Sequence, residues 1–125
     1  MRALVVDDSR SMRAIVSRIL RQLGAEVVEA SDGRVALDWL EAGNRADIAL
    51  VDWHMPVMDG LQFVSAVKSH PEWRSMAIMM VTTESDHEHI VRALIAGANE
   101  YIMKPFTADA VSQKLELLGL FPRTG

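Results

Sequence analysis

Short apolar runs alternate with helix-spaced apolar stripes along the chain. Ala3–Val6 is a run that stops abruptly at Asp7-Asp8. Met12, Ile15, Val16, Ile19, Leu20 and Leu23 then follow the 3-4 spacing of an amphipathic helix, with Gly24 as its stop signal. Glu26–Ala30 predicts a second strand, with acids flanking its two valines, and Ser31-Asp32-Gly33 a turn. Val35–Leu40 is a short helix ended by Gly43, and Ile48–Val51 a third apolar run that ends in Asp52. After a loop holding Pro56 and Asp59-Gly60, Leu61, Val64 and Val67 mark a third helix, closed before Pro71. Ala77–Val81 is the fourth run and ends in Thr82-Thr83. Ser85-Asp86-His87-Glu88 has the form of a capping box, Ile90, Val91, Leu94 and Ile95 supply the stripe of the helix it opens, and Gly97 stops it. Tyr101–Met103 predicts a fifth strand running into Lys104-Pro105, and Thr107 caps a last helix carrying Val111, Leu115 and Leu118. Strands that are apolar on both faces and alternate with helices imply an α/β fold, a parallel sheet covered on both sides.

Composition narrows the class. The 125 residues fit one domain, long enough to bury roughly two-thirds of the unfolded surface without a disulfide or structural metal. There is no cysteine, which excludes a disulfide scaffold, a thiolate zinc site and a cysteine nucleophile. A net charge of −4 argues against a nucleic-acid partner. No apolar run approaches a membrane span and the N-terminus has no signal-peptide pattern, so a soluble, cytoplasmic domain without membrane insertion is expected.

The chemistry gathers at the strand ends. In open parallel sheets, ligands bind beyond the carboxyl ends of the strands, where strand order reverses. Strand one ends in Asp7-Asp8, strand three in Asp52, strand four in Thr82 and strand five in Lys104. Singly, each has a plainer reading: an acid that caps the next helix, a turn hydroxyl, a solvated lysine. Together they bring carboxylates, a hydroxyl and an ammonium to one rim. Crowded carboxylates raise each other's pKa unless a cation intervenes, and their oxygens suit Mg²⁺, which keeps waters and accepts phosphate oxygens. The set reads as a place to hold a phosphoryl group against Mg²⁺.

Asp7-Asp8, the stretch Asp52-Trp53-His54-Met55-Pro56-Val57-Met58-Asp59-Gly60, Val81-Thr82 and Tyr101-Ile102-Met103-Lys104-Pro105-Phe106 together resemble the receiver domain of response regulators, of the stand-alone kind found in chemotaxis. The resemblance implies a doubly wound, flavodoxin-like sheet of five parallel strands in the order 2-1-3-4-5 with five helices, forming one receiver domain over residues 1–125 without an output domain. It makes Asp52 the phosphoacceptor for a histidine kinase or phosphotransfer protein, with self-catalysed transfer and autodephosphorylation rather than enzymatic turnover. Asp8, Asp52 and the backbone carbonyl of His54 would ligate Mg²⁺, with Asp7 helping through water. Thr82 and Lys104 would contact the phosphoryl oxygens, and Pro105 would follow a cis peptide bond. Thr82 and Tyr101 would form the switch, read by a downstream protein through the fourth helix, fifth strand and fifth helix.

Other features bear on partners and lifetime. Arg10, Arg13, Arg18 and Arg21 lie in a first helix free of acids, readable as a solvated face or as a docking face for the phosphodonor. His87 and His89, two positions apart, point to different helix faces and cannot share an ion, so a solvated helix start is expected there. Most of the methionines read as packing. His54, Thr83 and Glu84 depart from the commonest pattern of the family and flank the site, so they are candidates for tuning phosphoryl lifetime. An aspartyl-phosphate phosphotransferase or phosphatase of similar fold is an alternative, but dehalogenase-like enzymes place a second acid where this chain has His54. A phosphorylation-independent adaptor would typically lack the acids or the lysine, and all are present here.

Overall fold

The computed structural model describes residues 1–83 and 87–120, the side chain of His87 excepted. Its elements run β1 (Arg2–Val6), α1 (Arg10–Gln22), β2 (Glu26–Ala30), α2 (Gly33–Glu41), β3 (Ile48–Asp52), α3 (Gly60–Ser69), β4 (Ala77–Thr82), α4 (His87–Ala96), β5 (Glu100–Met103) and α5 (Ala108–Leu117). The five strands are parallel and lie in the order β2-β1-β3-β4-β5. The architecture matches the predicted one strand for strand.

Side-chain alternation along the strands divides the core in two. Leu4, Val6, Ala49, Val51, Ile78 and Met80 face α2, α3 and α4 through Leu37, Leu40, Phe63, Val67 and Ala93. Val5, Ile48, Leu50, Met79 and Val81 face α1 and α5 through Val16, Leu20, Val111 and Leu115. Central strands β1, β3 and β4 are buried on both faces, whereas the edge strands β2 and β5 are only partly covered. That explains the acids in β2: Glu26 and Glu29 stand on the exposed edge.

Helix starts follow local chemistry. Ser9, Asp32 and Thr107 each accept a hydrogen bond from the backbone N–H three residues on, as N-caps of α1, α2 and α5. Asp59 does so in a reciprocal box: its Oδ1 accepts from the Gln62 N–H at 2.8 Å, and Gln62 Oε1 accepts from the Asp59 N–H at 3.0 Å. The box expected at Ser85–Glu88 lies outside the described residues.

The stripe read for α4 needs correction. Ile90 and Ala93 turn to the core, while Val91 is 52%, Leu94 40% and Ile95 82% exposed. Apolar residues occupy more than one side of this helix, so spacing alone cannot tell which side is covered. No described helix is long and apolar enough to cross a membrane.

Candidate functional site

Sheet register assembles the rim. Val6 of β1 pairs with Val51 of β3, so Asp7 and Asp52 occupy the next rung, beyond the point where the chain winds outward in both directions. Asp52 pairs with Val81 and Thr82 with Met103, which brings Thr82 and the following Lys104 to the same end. The Lys104 N–H donates to the Thr82 carbonyl at 2.7 Å, tying the two strand ends together. The Lys104–Pro105 bond is cis, as expected.

Each acid sits differently. Asp7 is 3% exposed; its Oδ1 accepts from the Ser9 N–H at 2.8 Å and its carbonyl accepts from Arg13 Nη1 at 2.7 Å. Asp8 points to solvent, and Asp52 is half-buried at the end of β3. One oxygen from each of the three lies within 4.8 Å of the others. Lys104 Nζ donates to Asp52 Oδ1 at 3.2 Å and lies 3.9 Å from Asp7 Oδ2. Burial pushes the Asp52 carboxyl above its ordinary value and Asp8 adds to the rise, while Lys104 opposes it. Burial likewise raises Asp7, against the Ser9 N–H, with Asp52 and Asp8 adding to the rise and Lys104 lowering it. One ammonium is therefore set against three carboxylates. The donors are hard oxygens, one reaching solvent, and they fit a divalent cation of the Mg²⁺ kind that keeps part of its water shell.

Around this centre, Thr82 is 3% exposed, and its Oγ1 donates to the Thr83 carbonyl at 3.4 Å. Thr83 and His54 are exposed; Glu84 lies outside the described residues. Tyr101 is half-buried on β5, with Lys114 Nζ 4.9 Å above its ring and Lys114 paired to Glu100 at 3.0 Å. The structure thus brings Asp7, Asp8, Asp52 and Lys104 into one cluster and sets Thr82 at the neighbouring strand end.

Several features escaped the sequence. The expected solvated start of α4 does not hold for His89, whose ring stacks on Trp53 at 4.7 Å between centroids and 8° between planes. The basic face of α1 is partly used internally, since Arg13 and Arg21 pair with Glu29 at 3.5 and 3.9 Å. Beside Lys104 opens a cavity of about 380 Å³, lined by Met12, Ile15, Pro105 and Phe106. The 3-4 spacing put Met12 and Ile15 on the covered face of α1, yet Ile15 is largely exposed at this recess.

Comparison with known proteins agrees over the length of the chain. Residues 3–116 match the family described as the response regulator receiver domain. The chain is 42% identical over 119 residues to the chemotaxis protein CheY1 of Helicobacter pylori, covering 94% of this chain and 96% of that protein. It is 40% identical over 117 residues to the chemotaxis protein CheY of Pseudomonas aeruginosa, covering 93% of this chain and 94% of the other. Among solved structures, the Vibrio cholerae chemotaxis protein CheY4 superposes with a TM-score of 0.84 at 37% identity, over 93% of this chain and 96% of that one. With residues 3–116 matched and five parallel strands in the order 2-1-3-4-5, the chain belongs to the response regulator receiver domain family.

Proposed function

We propose that this chain is a phosphoacceptor switch of chemotaxis signalling, with Asp52 as the residue that takes the phosphoryl group. The relatives named above are chemotaxis proteins, matched over nearly their whole length. The observation that carries the reading is the cluster that Asp52 forms with Asp7, Asp8 and the ammonium of Lys104. In this reading residues 1–125 act as one cytoplasmic receiver domain that signals through its own surface.

The chemistry follows from those side chains. An ionised Asp52 oxygen attacks the phosphorus of a phosphohistidine; the O–P bond forms as the N–P bond breaks, and the imidazole leaves with the electron pair and takes up a proton. Asp8, Asp52 and the His54 carbonyl would hold Mg²⁺, with Asp7 acting through water. The ion supplies charge neutralisation and orientation for the transferring group. Lys104 then exchanges part of its attraction to Asp52 for the phosphoryl oxygens, and the Thr82 hydroxyl donates to them. That rearrangement biases a two-state equilibrium reported at Tyr101. The exposed Val91, Leu94 and Ile95 on α4 suit the docking of a downstream protein across α4, β5 and α5. The recess beside Lys104, with Arg10 and Arg18 exposed on the same helix as Met12 and Ile15, suits a histidine kinase or phosphotransfer protein. Thr83, His54 and Glu84 would set the lifetime by controlling how water reaches the phosphorus in line.

Incubation with acetyl phosphate tests the reading. With Mg²⁺ the protein should gain one phosphoryl group and lose it in hydroxylamine. Equal labelling after chelation of the metal, or none at all, would contradict it.

A further inference from the structure

Helix α4 is held to the body of the protein by small means. Its buried apolar contacts come from Ile90 and Ala93, with Ala96 partly buried against the same core, while Val91, Leu94 and Ile95 face solvent. His89 adds an attachment of a different kind. Its ring lies flat on Trp53, and the ring of His54 meets it edge-on at 6.0 Å and 80°. Trp53 and His54 are the two residues that follow Asp52. α4 is therefore clasped by the loop that leaves the acidic cluster.

The clasp has one stiff side. Trp53 is 8% exposed, and its carbonyl accepts the Gly60 N–H at 3.0 Å, where α3 begins. A planar ring so held has little room to turn, so a shift of the 52–54 backbone carries the indole with it. A parallel stack transmits such a shift because tilting or pulling the rings apart forfeits dispersion contact across the ring face. The opposite ring belongs to α4.

We propose that His89 is a positioning residue that conveys the state of Asp52 to α4 through its stack on Trp53, alongside the Thr82–Tyr101 route. This rests on the reading of Asp52 as the phosphoacceptor. Filling the site draws on Asp52 and the His54 carbonyl, the two ends of the segment whose middle residue carries the indole. The stack then moves α4 and with it the exposed Val91, Leu94 and Ile95.

The experiment compares ¹⁵N–¹H amide spectra of the parent, His89→Gln and His89→Phe, each with Mg²⁺ alone and with Mg²⁺ plus beryllofluoride as phosphoryl mimic. In all three, the Asp52 and Lys104 amides should report a filled site. In the parent and His89→Phe, the amides of Val91, Leu94 and Ile95 should shift on filling. In His89→Gln those shifts should shrink at least about twofold, the smallest change expected of a residue that carries coupling. A merely structural contact would lower the Tm of both states together and leave the shifts at parental size, and that result overturns the proposal. Should His89→Gln fail to fold, 5-fluorotryptophan in the parent and His89→Phe reads the same contact. The Trp53 resonance, assigned with Trp53→Phe, must move on filling in both, and a fixed resonance overturns the proposal. A parent whose Asp52 and Lys104 amides ignore beryllofluoride would overturn the phosphoacceptor reading itself, and this inference with it.

Discussion

Lys104 Nζ donates to Asp52 Oδ1 at 3.2 Å across 52 positions of sequence. Both side chains are largely withdrawn from solvent, which separates this pair from the surface bridges of the molecule, such as Arg34–Asp38 at 2.6 Å on α2. An exposed bridge contributes little because water screens it and two long side chains must be ordered. Lys104 and Asp52 are ordered already by strand ends, and their attraction acts where the dielectric is lower. It does not neutralise the cluster, however, since Asp7 lies 3.9 Å from the same cation and Asp8 adds a third carboxylate. That imbalance has consequences that can be measured.

The first is a pH dependence of stability. Asp7 and Asp52 are raised by burial, so in the window between the ordinary carboxylate value and their raised values the folded chain holds protons that the unfolded chain has released. Their contribution to stability is largest at the low end of that window and is lost as pH rises through the raised values. Asp7→Asn removes one such charge and keeps an oxygen for the Ser9 N–H. Without Mg²⁺, it should stabilise the protein at pH 7, and by less towards pH 4. Urea unfolding at both pH values checks this. A gain independent of pH, or a loss at pH 7, would contradict it.

The cation response is the second. Mg²⁺ at pH 7 should raise the Tm of the parent and change the emission of Trp53, which adjoins Asp52, over a background from Trp39 and Trp73. Asp8→Ala removes the one acid of the three that points to solvent and should abolish most of both effects. Equal Mg²⁺ titrations of parent and variant would rule out Asp8 as a ligand.

Gly60 tests how the rim is held. A Cβ there would lie 2.7 Å from Met80 Cε, 3.0 Å from the Asp52 carbonyl oxygen and 3.1 Å from Trp53 Cα. The methionine tip can yield, but the two backbone atoms cannot. Gly60→Ala should destabilise the fold by about 1–3 kcal/mol and slow phosphorylation, because the relief must come from the strand end that carries Asp52. Denaturant midpoints and labelling rates measure the two effects, and parental values for both would show that this contact is slack.

Val57 offers a gain. It adopts φ +69° at the centre of a turn closed by the Met58 N–H and the Pro56 carbonyl at 2.6 Å, with its side chain in solvent. A β-branched residue is poorly suited to that conformation, whereas asparagine tolerates it. Val57→Asn should stabilise the protein by about 1 kcal/mol in chemical unfolding. An unchanged or lowered midpoint would mean that the turn is strained little by its valine.

Much of this was legible in the sequence, for a specific reason. Parallel strands deliver their carboxyl ends to one edge, so the residues after Val6, Val51, Val81 and Met103 had to converge once the strands were recognised. Periodicity found the strands, and the side chains after them supplied the chemistry. What stayed hidden depends on approach between elements distant in sequence. Val91, Leu94 and Ile95 look like a core stripe until the sheet takes Ile90 and Ala93 instead. His89 reads as a polar helix start until α4 is set against the loop after β3. Arg13 reads as part of a solvated basic face, yet its guanidinium closes on the Asp7 carbonyl and Glu29.

The central claim is that the phosphoryl group resides on Asp52. Intact-mass analysis of parent and Asp52→Asn after acetyl phosphate with Mg²⁺ tests it most directly. The parent should gain the mass of one phosphoryl group, removable by hydroxylamine, and Asp52→Asn should gain none while remaining folded. Undiminished labelling of Asp52→Asn would place the acceptor elsewhere and contradict the account.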